Sequence, residues 1–224
     1  MKQWKVPSFD RQDRRSQPET RYPHPVHDCF WQRFPRARLT CRLSYHKPSR
    51  VLGIVARLFE GVTQVDGPKD TVWILQRPRS LAEADRAHAA PPVLVFDREG
   101  RYLRGFGGPG AGYDWPQIEH TLAVDAKGRA WISGSFRADP AKMDSQILVF
   151  DTQGKFLRQI GRPGASLGNA DTANFGAPAD IFVDDARGET YVADGYVNRR
   201  LIVLDSETGA FTRMWSAFGA PPPN

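Results

Sequence analysis

The sequence predicts an all-β fold built from tandem four-stranded units, the architecture of β-propeller blades. Three observations carry this: three internal copies after Gly61, two ladders of evenly spaced aspartates, and turn residues at the same place in each copy. The first copy, 61–110, reads GVTQVDGPKDTVWILQRPRSL and then PPVLVFDREGRYLRGFGGPG. The second, 120–164, reads HTLAVDAKGRAWISGSF and then SQILVFDTQGKFLRQIGRPG. The third, 179–219, is ADIFVDDARGETYVADGYVNRRLIVLDSETGAFTRMWSAFG. Tandem repetition of this kind marks a unit that cannot bury its apolar faces alone and packs on its neighbours.

The register is strict. Asp66, Asp125 and Asp184 each end an apolar run and stand 59 residues apart, while Asp97, Asp151 and Asp205 close a second run and stand 54 apart. Strand one of each unit is the run before the first aspartate, as in Leu122–Val124 and Ile181–Val183. Strand two is aromatic and β-branched: Val72-Trp73-Ile74, Ala130-Trp131-Ile132 and Tyr191-Val192. Strand three is Val93–Phe96, Ile147–Phe150 and Leu201–Leu204; strand four is Arg101–Phe106, Lys155–Ile160 and Phe211–Trp215. Aspartate at the start of a turn accepts nearby backbone N–H groups, and glycine supplies the positive φ the turn requires. Short strands with turn signals at this density predict all-β architecture. Trp73, Trp131 and Phe150 are the expected filling between blades.

Long stretches interrupt the pattern in two places. Pro78–Pro91 and Phe136–Asp144 lie between strands two and three, while Ala111–Glu119 and Ala165–Pro178 link one blade to the next. Both classes are expected on one face of the disc, around the central channel, where loop-borne function sits.

Residues 1–50 differ in kind. They hold twelve Lys/Arg and four Asp/Glu, whereas the remaining residues hold nineteen and twenty-one. This basic, Pro-rich segment is expected to be irregular, and residues 51–224 form the blade region. A net charge of −2 on the repeated body argues against a nucleic-acid role. Cys29, Cys41, His24, His27 and His46 fall within the basic segment, but Cys29 and Cys41 do not have the close spacing of zinc-ligand pairs. No apolar run approaches the roughly 18 residues that span a bilayer. The first residues, MKQWKVPSFDRQDRRSQPET, carry no apolar stretch after their basic residues, so the default expectation is cytoplasmic. A missing upstream signal would make it periplasmic or secreted.

The unit PADIFVDDARGETYVADGYVNRRLIVLD closely resembles an NHL-repeat blade. Its spacing is similar to that of bacterial six-bladed propellers named for likeness to peptidyl-α-hydroxyglycine α-amidating lyase. That resemblance implies a zinc ion in the channel, held by three His from different blades, and a structural calcium. His120, in Glu119-His120-Thr121-Leu122-Ala123-Val124-Asp125, takes the place of the first zinc ligand, and Leu122 that of a backbone-carbonyl calcium ligand. Tyr196, in Ala193-Asp194-Gly195-Tyr196-Val197-Asn198-Arg199-Arg200, matches the catalytic tyrosine, and Arg77 matches an active-site arginine. Asp194, Asn198 and Arg199 flank that tyrosine as binding candidates, and Asp194 also reads as fixing the loop before Tyr196 by accepting backbone N–H bonds. The other two zinc His belong to blades not seen in this sequence. His120 also reads as a hydrogen-bonded channel residue, and Tyr196 and Arg199 as packing residues of the blade.

Three blades are fewer than the four to eight that close a propeller. The expectation is therefore the N-terminal half of a six-bladed ring, closed by further blades or by self-association of two chains. The expected role is binding or scaffolding of a protein, peptide or small-molecule ligand at the loop-rich face. The alternative is a zinc-dependent amidating-lyase-like enzyme using Arg77, His120 and Tyr196.

Overall fold

Runs of β-branched and aromatic residues, punctuated by Asp and Gly, fold into twelve strands among the described residues. The computed structural model describes residues 62–66 and 70–216; the basic segment 1–50, with its Cys and His residues, lies outside them. The first blade contains β1 (Val62–Asp66), β2 (Thr71–Leu75), β3 (Val93–Asp97) and β4 (Tyr102–Phe106). The second contains β5 (Glu119–Val124), β6 (Ala130–Gly134), β7 (Gln146–Phe150) and β8 (Phe156–Gly161). The third contains β9 (Asp180–Asp184), β10 (Glu189–Asp194), β11 (Arg200–Asp205) and β12 (Phe211–Ser216). Each blade is one antiparallel meander whose strands pair in sequence order. Strands β1, β5 and β9 lie side by side from sheet to sheet, which makes strand one of each blade the inner one. Among the described residues no helix is long and apolar enough to cross a membrane.

The sheets stack face on face and bury two layers of side chains. Trp73, Leu75, Val93 and Val95 of the first sheet meet Leu122, Ala130, Ile132, Leu148 and Phe150 of the second. Ala123, Trp131, Ile147 and Val149, on the other side of that second sheet, meet Ile181, Val192, Ile202 and Leu204 of the third. Alternation of side chains along a strand supplies both sets at once. The middle blade therefore has every residue of β6 and β7 buried, whereas β2 and β10 alternate between buried and half-buried.

The turns follow the expected chemistry. Oδ1 of Asp125 accepts from the backbone N–H of Lys127 (3.0 Å) and Arg129 (2.8 Å), and Asp151 does the same for Gln153 (2.8 Å) and Lys155 (2.9 Å). Gly100, Gly154 and Gly209 close the strand three–four turns at φ of 77°, 81° and 77°, a region where a side chain is strained.

The same irregularity then occurs in all three blades. Strand four carries one extra residue where the pairing shifts, between Val95 and Phe96, Val149 and Phe150, and Val203 and Leu204. The unpaired residues are Leu103, Leu157 and Thr212, and this explains why two leucines in outer strands stand 47% and 43% exposed. On the turn side, Glu207 of the third blade receives Lys127 Nζ (2.6 Å) and Arg129 Nη2 (3.1 Å) of the second. The Arg158 guanidinium donates to the Glu207 carbonyl across the same seam.

Replacing Trp131 with Ala should cost about 3–5 kcal/mol in urea unfolding, because an inter-blade ring is lost and a cavity remains. Leu157→Ser, at the bulge, should change stability by less than about 0.5 kcal/mol. Comparable losses for the two variants would refute the bulge assignment.

Candidate functional site

The inter-blade linkers are hydrogen-bonded to the strand two–three loops, so both classes do share one face. Ser135 N donates to Ile118 O (2.9 Å), and Val197 N donates to Gly176 O (3.0 Å). Asp144, fully buried, accepts from Gln117 N (2.7 Å), Ile118 N (3.1 Å) and Phe136 N (2.9 Å), tying the linker before β5 to the loop after β6. Burial pushes the Asp144 carboxyl up, and its three N–H donors oppose that shift.

Three blades each send a residue to one cluster on this face. Arg77 follows β2, His120 is the second residue of β5, and Tyr196 follows β10. Arg77 Nη2 lies 3.2 Å from His120 Nδ1, and the Tyr196 hydroxyl lies 2.8 Å from His120 Nε2. Arg77 Nε also donates to the Glu119 carbonyl (2.6 Å), which anchors the guanidinium to the inner strand. A guanidinium only donates, so Nδ1 is the acceptor and the neutral ring carries its proton on Nε2, which donates to Tyr196. The phenol, having accepted, keeps its own O–H as a donor. Burial, then the charges of Arg77 and Arg137, hold His120 below the ordinary imidazole value, with Asp180 opposing them.

Arg137, from the loop after β6, completes the set. Its guanidinium sits 4.7 Å from the Tyr196 ring centroid, and Nη1 donates to the Ser135 carbonyl (3.2 Å). It is exposed, Tyr196 is 41% exposed, and Arg77 and His120 are half-buried. Neither Arg137 nor Asp144 stood out in the sequence, because the strand two–three stretches differ in length and sequence from copy to copy.

Among the residues flanking Tyr196, Asp194 fixes the loop by accepting a backbone N–H, as an aspartate ahead of a turn commonly does. Asp194 and Asn198 are buried within the third blade rather than presented to a ligand. Asp194 Oδ1 accepts from Gly176 N (2.7 Å), and its Oδ2 accepts from Asn198 Nδ2 (2.8 Å) and Arg200 Nε (2.8 Å). Arg200 in turn donates to the carbonyls of Asn169, Asp171 and Asn174. This network holds the Tyr196 loop against the linker. Arg199 is exposed, and its backbone N–H donates to Asn169 Oδ1 (2.8 Å).

The zinc ion implied by the resemblance does not fit this arrangement. Zinc takes the lone pair of an imidazole nitrogen, but Nδ1 is engaged by Arg77 and Nε2 by Tyr196. Two guanidinium charges beside the ring also oppose a dication. Among the described residues no three His, Cys, Asp or Glu side chains gather as a metal-binding group. The Leu122 side chain is buried in the first inter-blade layer, so only its backbone carbonyl remains as a calcium ligand.

Asp194→Ala should cost about 3–5 kcal/mol, since it leaves Arg200 buried without its carboxylate; chemical unfolding reads this directly. By NMR, His120 should titrate below 6.5, and Arg77→Gln should move it upward. Because the folded-state value is depressed, the unfolded chain binds more protons below that pH. The stability linked to His120 is therefore whole above 6.5 and falls as pH drops through the window beneath it. A titration at or above the free-imidazole value would contradict the arrangement.

No family model matches the chain. It is 27% identical over 103 residues to peptidylglycine alpha-amidating monooxygenase of Rattus norvegicus, covering 44% of this chain and 9% of that protein. It is 26% identical over 162 residues to NHL repeat-containing protein 3 of Mus musculus, covering 70% of this chain and 41% of that protein. The chain thus spans less than half the length of the curated relatives it matches. Among solved structures, a protein of unknown function from Bacteroides caccae overlays with a TM-score of 0.45 at 16% identity, covering 71% of this chain and 48% of the other. A catalytically inactive virginiamycin B lyase from Staphylococcus aureus overlays at 0.40 and 18%, covering 72% and 41%. Three stacked four-stranded sheets and the aspartate-punctuated repeat give the chain the β-propeller fold, and over 70% of its length it is similar to an NHL repeat-containing protein.

Proposed function

We propose that this chain is a binding propeller whose loop-rich face recognises a carboxylate-bearing ligand at Arg77, His120, Arg137 and Tyr196. One observation carries the reading: the cluster offers donors and positive charge around a neutral imidazole. Arg137 and Tyr196 are exposed, and Arg77 adds its charge on the other side of His120. A carboxylate accepts only, and a guanidinium fork with a phenol O–H suits it through charge-assisted hydrogen bonds. Half-exposed Val197, beside the tyrosine, supplies apolar contact for the rest of such a ligand.

A second reading, an amidating-lyase-like activity, has one observation in its favour. Arg77, His120 and Tyr196, the three residues carried over by resemblance, come together in space. The engaged imidazole nitrogens weigh against its metal chemistry, and binding remains the conclusion.

Calorimetry with short peptides ending in a free carboxylate, set against their C-terminal amides, tests the proposal. The free acids should bind more tightly. Arg137→Ala should weaken that binding at least tenfold, the loss of about 1.5–3 kcal/mol associated with a hydrogen bond to a charged group. Equal affinity for acid and amide, or no effect of Arg137→Ala, would sink the reading.

A further inference from the structure

The carboxylates that hold the two site loops stand at different places in otherwise equivalent blades. Register fixes the correspondence: Ser133 pairs with Ile147 in the second blade, and Ala193 with Leu201 in the third. Gly134 therefore corresponds to Asp194, the next residue of strand two. Asp144 corresponds to Asn198, each three residues before the paired residue of strand three. One blade thus has Gly and Asp where the other has Asp and Asn.

The space around Gly134 explains the exchange. A Cβ added there would fall on Asp144 Oδ2 and lie 2.6 Å from Asp144 Cγ. Asp144 therefore reaches back into the volume that an aspartate on strand two would fill. In the third blade that aspartate is present, and Asn198 Nδ2 donates to it (2.8 Å). Both carboxylates take backbone N–H groups from the linker ahead of strand one: Asp144 those of Gln117 and Ile118, Asp194 that of Gly176. Arg200 adds an ion pair to Asp194 at 2.8 Å. The corresponding Gln146 instead spends its amide on Ser145 N (2.8 Å) and the Asp114 carbonyl (3.0 Å).

We infer that Asp144 and Asp194 are one tie delivered from two positions, and that Asp144 is the positioning residue for His120 and Arg137 as Asp194 is for Tyr196. Asp144 grips the chain on both sides of the cluster. It holds Gln117 and Ile118, just ahead of His120, and Phe136, immediately ahead of Arg137. Asp194 stands two residues before Tyr196 and holds Asn198 on its far side. The inference rests on the carboxylate-binding reading for its ligand, and on the geometry alone for the tie. If the two arrangements are equivalent, the third blade's pair should serve in the second.

Gly134→Asp, Asp144→Asn and the double variant test this. Gly134→Asp should lower the melting temperature, because two carboxylates then compete for one buried space. Asp144→Asn should lower it as well, because an amide NH2 then meets a backbone N–H. The double variant should melt above both single variants, since the two changes compensate each other. Positioning is read in the folded proteins from the imidazole 15N signals of His120, which report its contacts with Arg77 and Tyr196. Those signals should move in Asp144→Asn and return in the double variant, and affinity for free-acid peptides should fall and recover with them. A double variant that melts below both single variants overturns the exchange. Unmoved His120 signals in folded Asp144→Asn overturn the positioning role. A wild type that does not prefer free acids to amides sinks the binding proposal alone, and melting and His120 signals still decide the tie.

Discussion

A four-stranded sheet one residue layer thick has two faces and no interior, and every other feature of this chain follows from covering those faces. Alternating side chains cannot leave one face polar when both sides meet a neighbour. The strand-two and strand-three sequences are accordingly apolar at consecutive positions, as in Val93-Leu94-Val95-Phe96 and Ile147-Leu148-Val149-Phe150. A strand buried on both sides reads as a continuous run. The aromatic residue of strand two brings a polar atom into that layer, and each blade satisfies it differently. Trp73 Nε1 donates to Thr71 Oγ1, Trp131 Nε1 to Asp125 Oδ2, and the Tyr191 hydroxyl to Glu189 Oε2. Interchange of these partners is tolerated because what is conserved between copies is the filled volume and the satisfied donor.

Stacking also builds the site. Arg77, His120 and Tyr196 belong to successive blades, so their approach depends on the two inter-blade layers and not on any single loop. Loosening Trp131 or Phe175 would therefore alter the geometry around His120 without touching it. The buried Asp194–Arg200 pair serves the same end from below. It does not have to contribute net stability to matter, since its use is to fix the strand two–three loop in one position.

The blade pattern was legible because aspartate and glycine mark turns for reasons of local chemistry, and those reasons act the same way in each copy. Strand positions accordingly came within three residues, and the stretch Pro78–Pro91 concealed only a short 3-10 turn and one helical turn, Glu83–Arg86. Arg77, His120 and Tyr196 were legible through resemblance, and their convergence needed the fold. Asp194 was legible as a tie of the Tyr196 loop from aspartate's turn chemistry, whereas the burial of Asn198 was not, since a sequence does not show which side of a loop is inside. Arg137 and Asp144 were invisible: they lie where one blade differs from the others, and repetition carries no information there. The exposed leucines Leu103 and Leu157 look like core residues in the alternating pattern, and only the one-residue bulge moves them outward.

Buried acids tie down the irregular segments around the site. On the loop-rich face Glu119, Asp144, Asp171 and Asp194 are all buried. Glu119 accepts from Trp115 Nε1 (2.7 Å), Asp144 holds three backbone N–H groups, and Asp171 accepts from Leu167 N (2.9 Å) and Ala173 N (2.8 Å). Long loops carry many orphan N–H groups, and a carboxylate satisfies two or three of them at once. These four acids are spent on internal ties; Arg137 and Arg199 stand exposed on the same face, as do Glu83, Asp85, Asp114 and Asp180. His120 fits the same logic: a neutral ring accepts from one cation, passes a proton's worth of polarity to Tyr196, and adds no third charge to a cluster that already holds two.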